Sequence, residues 1–153
     1  MMKLFQKRIR LGSERGITIM EIMIAMGLAL AAFYFFAKMI SDRANETKRN
    51  LTKMKMEQVK QMLEQYRDEN DRYPTAIQGL DALVERPQSG PTSDSWRAFI
   101  KEEDKKKYLQ DEWKHGFEYE ADDDGSYFII RTYGRDGKAG GTVHDRDEEV
   151  RSD

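Results

Sequence analysis

The chain has no cysteine, which removes disulfide staples, thiolate metal sites and thiol catalysis from consideration. That absence is compatible with either side of a membrane. An excess of one charge sign is also missing: 26 Lys and Arg face 28 Asp and Glu, for a net charge of −2. No basic surplus points to nucleic acid. Proline is scarce, three residues at Pro74, Pro87 and Pro91. There is no internal repeat, and no glycine-rich phosphate loop follows a strand-like segment. The two histidines, His115 and His144, lack a serine or cysteine partner in a recognisable motif, so both read as inert surface residues and no enzymatic activity is expected. Long apolar runs are limited to one. This excludes a multi-span membrane protein and, equally, a wholly soluble one. At 153 residues the chain makes one domain plus an appended element.

The single apolar run is Ile17–Ala37, 21 residues whose only formal charge is Glu21. As a helix rising about 1.5 Å per residue it reaches roughly 30 Å, the thickness of a bilayer's hydrocarbon core. It is longer than the apolar region of a secretory signal peptide, and no small-x-small cleavage site follows it, so it is expected to remain in the working protein. Ahead of it, residues 1–16 carry Lys3, Lys7, Arg8, Arg10 and Arg15 against Glu14, a balance of +4 that leaves −6 for the remainder. A short basic flank of this kind is held on the cytoplasmic side, which sends the rest outward. Glu21 is the anomaly, because an unpaired carboxylate in hydrocarbon costs about 3 kcal/mol. Either it lies close enough to the helix start to reach the interface, or it has a partner. A cut after Gly16 would supply one. Ile17 would then carry a new ammonium group needing a counter-ion, and the Glu21 carboxylate of a neighbouring copy could provide it.

The stretch Arg15-Gly16-Ile17-Thr18-Ile19-Met20-Glu21, behind a basic leader and at the head of the apolar run, resembles the type IV prepilin signature. The resemblance implies that a dedicated prepilin peptidase cuts between Gly16 and Ile17 on the cytoplasmic side and methylates the new amino terminus at Ile17. Ile17 stands where that family commonly has Phe, and Lys38 where many members carry Pro. Lys38 is able to extend its ammonium to the headgroups at the far end of the span.

From Ser41 the composition turns polar while a helical period persists through Ala44, Leu51, Met54, Val59, Met62, Leu63 and Tyr66. This predicts an amphipathic helix over 41–72 laid against a small domain. No Pro or Gly interrupts from Leu28 to Arg72, and Tyr73-Pro74 ends the pattern. Apolar spacing predicts a short second helix over 76–85. The charge run Lys101–Lys107 reads as a solvated face. Two strand-like segments around the turn Asp122-Asp123-Asp124-Gly125 predict a hairpin over 117–133. The nine methionines read as adaptable packing rather than a copper site. So small a core commonly needs support, and without cysteine a metal or assembly remains.

The stretch Tyr133–Asp147 is rich in Gly and Asp. Asp136, Asp145 and Asp147 converge if the glycines reverse the chain, and carbonyls could complete an oxygen cage suited to Ca²⁺. The spacing is not that of an EF-hand. On composition alone a mobile acidic tail is equally good, and Glu148 or Glu149 could replace one of the aspartates. Here Asn70-Asp71-Arg72-Tyr73-Pro74-Thr75, Gln78-Gly79-Leu80-Asp81-Ala82-Leu83-Val84 and Tyr133-Gly134-Arg135-Asp136-Gly137, with Gly140-Gly141 and Asp145-Arg146-Asp147, resemble the major pseudopilins of type II secretion systems. The resemblance implies an α+β, type IV pilin-like fold, in which a long amino-terminal helix packs on a small antiparallel sheet with a carboxy-terminal calcium loop. It implies Ca²⁺ ligation by Asp136, Asp145, Asp147 and the Tyr133 carbonyl. Departures include Asp111-Glu112-Trp113-Lys114 in place of Asp-Pro-Trp-Gly, and Val143 and Glu148 inside the loop region.

The expected organisation is a cleaved leader over 1–16, a transmembrane and filament-core helix over 17–40, and a periplasmic domain over 41–153 with its metal loop at 133–150. The resemblance further implies a single-pass inner-membrane protein that polymerises with copies of itself into a periplasmic filament driving export of folded proteins. Its partners would be the prepilin peptidase, other pseudopilins and the inner-membrane assembly platform. A type IV pilin, a minor pseudopilin and an uncut, membrane-anchored binding module stay open as alternatives.

Overall fold

The computed structural model describes residues 16–152; residues 1–15 of the expected leader lie outside the described residues. Helix α1 spans Ile19–Asn70. Its start is a reciprocal cap: the Glu21 N–H donates to Thr18 Oγ1 at 3.2 Å, while Glu21 Oε2 accepts from the Thr18 N–H at 2.8 Å and its hydroxyl at 3.0 Å. This Thr-x-x-Glu box satisfies two amides that a helix end leaves unpaired. The absence of Pro between Leu28 and Arg72 allows 52 helical residues without a break, Lys38 included. At the other end Asp71 takes a φ of 62°, a left-handed residue that terminates a helix.

The chain divides into two compact units between Ile40 and Ser41. In the first, Ile19 and Phe33 are 78% and 73% exposed, and the helix is long and apolar enough to cross a membrane.

In the second unit, α1 buries Thr52, Met56, Val59, Leu63 and Tyr66, a stripe of alternating four- and three-residue steps. Leu51 and Met54, expected on the packed face, are exposed. The apolar period is displaced because a threonine belongs to it: Thr52 Oγ1 accepts the Glu112 N–H at 3.1 Å, which makes a polar side chain acceptable in the interior. Against this stripe lies a three-stranded antiparallel sheet of β1 (Glu118–Ala121), β2 (Phe128–Thr132) and β3 (Glu148–Arg151), in the order β1-β2-β3. The central strand sends Phe128 and Ile130 into the core, and Thr132 is also buried. Tyr73 meets the Phe128 ring edge-on at 4.7 Å between centroids. The hairpin turn is closed by Asp122, which accepts from Ser126 Oγ at 2.6 Å and the Tyr127 N–H at 3.0 Å. Those donors hold its pKa down at about 2.

Two elements differ from expectation. Instead of a helix over 76–85 there is a turn followed by a 3-10 segment, Leu80–Leu83. Gly79 adopts φ 60°, ψ −168°, a region open essentially to glycine, and this breaks the helical period. Gln78 fixes the turn, accepting the Thr75 N–H at 3.0 Å and donating to the Ser89 and Pro91 carbonyls at 2.9 and 3.0 Å. The charge run forms a 3-10 turn (Glu102–Asp104) and the one-turn helix α2 (Lys105–Tyr108). It is mostly exposed, but Lys105 reaches Asp81 at 3.1 Å.

Strand β3 begins within the segment 133–150 expected to be metal loop, and its acids are committed. Glu148 pairs with Arg49 and with Lys53, the latter at 3.2 Å; Glu149 pairs with Arg131 at 3.2 Å and with Arg151. Neither is a free substitute ligand. Burial opposes ionisation of Glu148, but Arg49 and Lys53 outweigh it and hold its pKa below the ordinary 4.5. A depressed folded-state pKa contributes stability above the unfolded value and loses it as pH falls through the folded one. Thermal melts from about pH 6 down to pH 3 should therefore show stability falling below about pH 4.5, with a shallower fall in Glu148→Gln. Equal slopes for the two proteins would show that this pair carries no linkage.

Candidate functional site

Two regions hold the site residues read from the sequence. At the head of α1, Gly16, Ile17 and Glu21 line one exposed groove with Ile22, Ala25, Met26 and Ala29. Both Thr18 bonds fall on Glu21 Oε2; no hydrogen bond to Oε1 is found among the described residues. The carboxylate thus has a capping role inside its own chain and one oxygen left for another partner. The sequence reading missed the cap, although Thr18 three residues before Glu21 is its signature.

The second region follows β2. Gly134 takes a φ of 64°, and a Cβ there would sit 2.9 Å from the Asp145 carbonyl carbon, so glycine is required where the two arms of the loop meet. The Arg135 N–H donates to the His144 carbonyl at 3.1 Å, and the Asp145 N–H to the Thr142 carbonyl at 3.1 Å. Among the three candidate ligands, Asp136 Oδ1 accepts the Lys138 N–H at 3.2 Å and Asp147 Oδ2 the Gly140 N–H at 2.8 Å. Asp145 is gripped by the Arg135 guanidinium, Nε to Oδ1 at 2.9 Å and Nη2 to Oδ2 at 3.1 Å. Among the described residues no three acidic or histidine side chains gather closely enough to hold a metal ion. Yet Asp147 Oδ1 is buried without a partner, and an orphaned carboxylate oxygen beside glycine-rich backbone fits an oxygen-seeking cation. The donor type fits Ca²⁺, with carbonyl oxygens needed to complete the set.

Beneath the loop lies a support the sequence did not reveal. Asp111 is fully buried. Its Oδ1 accepts the Trp113 and His115 amides at 2.8 Å each, and its Oδ2 accepts the Thr132 hydroxyl at 3.0 Å. His115 Nδ1 lies 3.1 Å from the Gly134 carbonyl and 3.4 Å from Asp111 Oδ2. Both neighbours are acceptors, so Nδ1 carries the hydrogen. His115 is therefore not an inert surface residue, for it ties the loop's first glycine to the domain interior. His144 lies 3.7 Å from Asp42 on α1.

An apolar segment long enough to cross a membrane, continuing as an amphipathic helix whose later turns pack on a small antiparallel sheet with a glycine- and aspartate-rich loop, defines a pseudopilin-like fold. A crystal structure of the major pseudopilin from the type 2 secretion system of enterohaemorrhagic Escherichia coli shares the fold, with a TM-score of 0.52 at 24% identity, covering 70% of this chain and 89% of that one. Residues 39–151 match the family described as Type II secretion system (T2SS), protein G. The type II secretion system core protein G of Pseudomonas aeruginosa is 28% identical over 134 residues, 88% of this chain and 92% of that protein. That of Aeromonas hydrophila is 29% identical over 132 residues, 83% and 87% respectively. The chain belongs to the type II secretion protein G family.

Proposed function

We propose that this protein is the major subunit of a type II secretion pseudopilus, processed at Gly16/Ile17, methylated on Ile17 and polymerised in the periplasm. The observation that carries this reading is the apolar surface of residues 17–37. Among the described residues, its large side chains from Ile17 to Phe36 are exposed. In the membrane, lipid covers that surface; after extraction, the same surfaces of neighbouring copies replace lipid, a head-to-tail contact that does not close and so makes a filament. Glu21 sets the register by offering Oε1 to the Ile17 ammonium of an adjacent copy. The basic flank before Gly16 keeps the leader cytoplasmic and places the second unit in the periplasm. The role is structural, without catalysis, and engages the prepilin peptidase, other pseudopilins and the assembly platform. Ca²⁺ orders the loop through Asp136, Asp145, Asp147 and the Tyr133 carbonyl, with oxygen donors of the kind that ion takes.

Mass spectrometry of protein extracted from membranes of its native host tests this directly. The expected chain starts at N-methylated Ile17 and lacks residues 1–16. An intact Met1 terminus in all of the membrane-embedded and assembled protein would leave a plain membrane anchor.

A further inference from the structure

Resting on the calcium reading above, we infer that Arg135 is a built-in counter-cation that holds the Asp145 carboxylate and must release it when a divalent ion enters the loop. The guanidinium fork meets both carboxylate oxygens, at 2.9 and 3.1 Å, so neither is available to a metal in this arrangement. The same residue's N–H binds the His144 carbonyl at 3.1 Å, which keeps the two arms of the loop in register while the pair is closed. Asp147, two residues on, offers a buried oxygen with no partner, so a cation arriving there stands close to the chain segment that the fork retains. The backbone beside the pair is strained: Val143, β-branched, has a φ of 58°, a conformation that persists where surrounding contacts impose it. The side chains of Arg135 and Asp145 are 49% and 27% exposed, so the fork is of modest strength and a divalent ion is able to displace it.

Calcium titration calorimetry on the full-length protein in detergent tests this, with circular dichroism checking that each variant is folded. Arg135→Gln is expected to bind Ca²⁺ about two- to fivefold more tightly than wild type, the equivalent of one exposed fork. Arg135→Lys, which keeps the charge but gives up the fork, should fall between them. Arg146→Gln removes the same charge from an exposed position in the same loop and should match wild type. Equal or weaker binding by both Arg135 variants overturns the latch while leaving the calcium reading intact, and so does an equal gain in Arg146→Gln. Absence of binding by every protein overturns the calcium reading, and the latch with it.

Discussion

Glu21→Ala is expected to insert into the membrane as wild type does and to lose its polymer. Removing one partner of an ion pair in a low-dielectric setting costs about 3 kcal/mol, or roughly a hundredfold in each subunit's association. Sedimentation and electron microscopy of material released from membranes would read the loss. The cap complicates the alanine variant, because Glu21 also binds the Thr18 N–H and hydroxyl, and losing a cap costs about 1 kcal/mol of helix stability. Glu21→Gln separates the two roles. Its amide oxygen still caps Thr18 but carries no charge. If pairing with a neighbour's amine is the point, Gln fails to assemble as Ala does; filaments at wild-type yield from the Gln variant would reduce Glu21 to a capping residue.

Asp111→Ala should be the most damaging single change in the globular part. It strands the amides of Trp113 and His115 and the Thr132 hydroxyl in a fully buried setting. Unsatisfied buried donors cost about 1–3 kcal/mol each, partly relieved by relaxation and entering water, so a loss of about 3 kcal/mol is expected. For a unit of this size that lowers the melting temperature by about 10 °C. Asp111→Asn, which keeps an acceptor, should lose less. Because His115 connects this carboxylate to the Gly134 carbonyl, limited proteolysis of Asp111→Ala should cut first within 134–147. A melting temperature within about 2 °C of wild type would show that water replaces the carboxylate at little cost.

Much of the fold was legible because its signals are periodic or compositional. The apolar run of Ile17–Ala37, the uninterrupted helix beyond it and the hairpin around Asp122–Gly125 each repeat a pattern over many residues. The buried stripe was read only in part: Val59, Leu63 and Tyr66 were placed correctly, whereas Leu51 and Met54 were preferred to Thr52 and Met56. Hydrophobicity could not signal a threonine made buriable by an amide sixty residues away. The helix expected over 76–85 failed at Gly79, whose backbone conformation is set by the fold around it. Strand β3 was invisible, since Glu148-Glu149-Val150-Arg151 has little strand character. It pairs because Ile130 and Arg131 stand opposite Val150 and Glu149, and because Arg49 and Lys53 neutralise Glu148.

By itself, then, the sequence determined what is local: a segment long and apolar enough for a membrane, a Gly-x-x-x-x-Glu spacing at its head, and a loop whose glycines permit reversal. Only the tertiary structure decided what depends on partners distant in the chain. It tied Asp145 to Arg135, buried Asp111 beneath the loop, turned His115 into a strut and committed Glu148 to α1. Local order follows from backbone and side-chain preferences that neighbouring residues express together. The role of a charged or polar group is set by which donors the fold brings within about 3 Å of it.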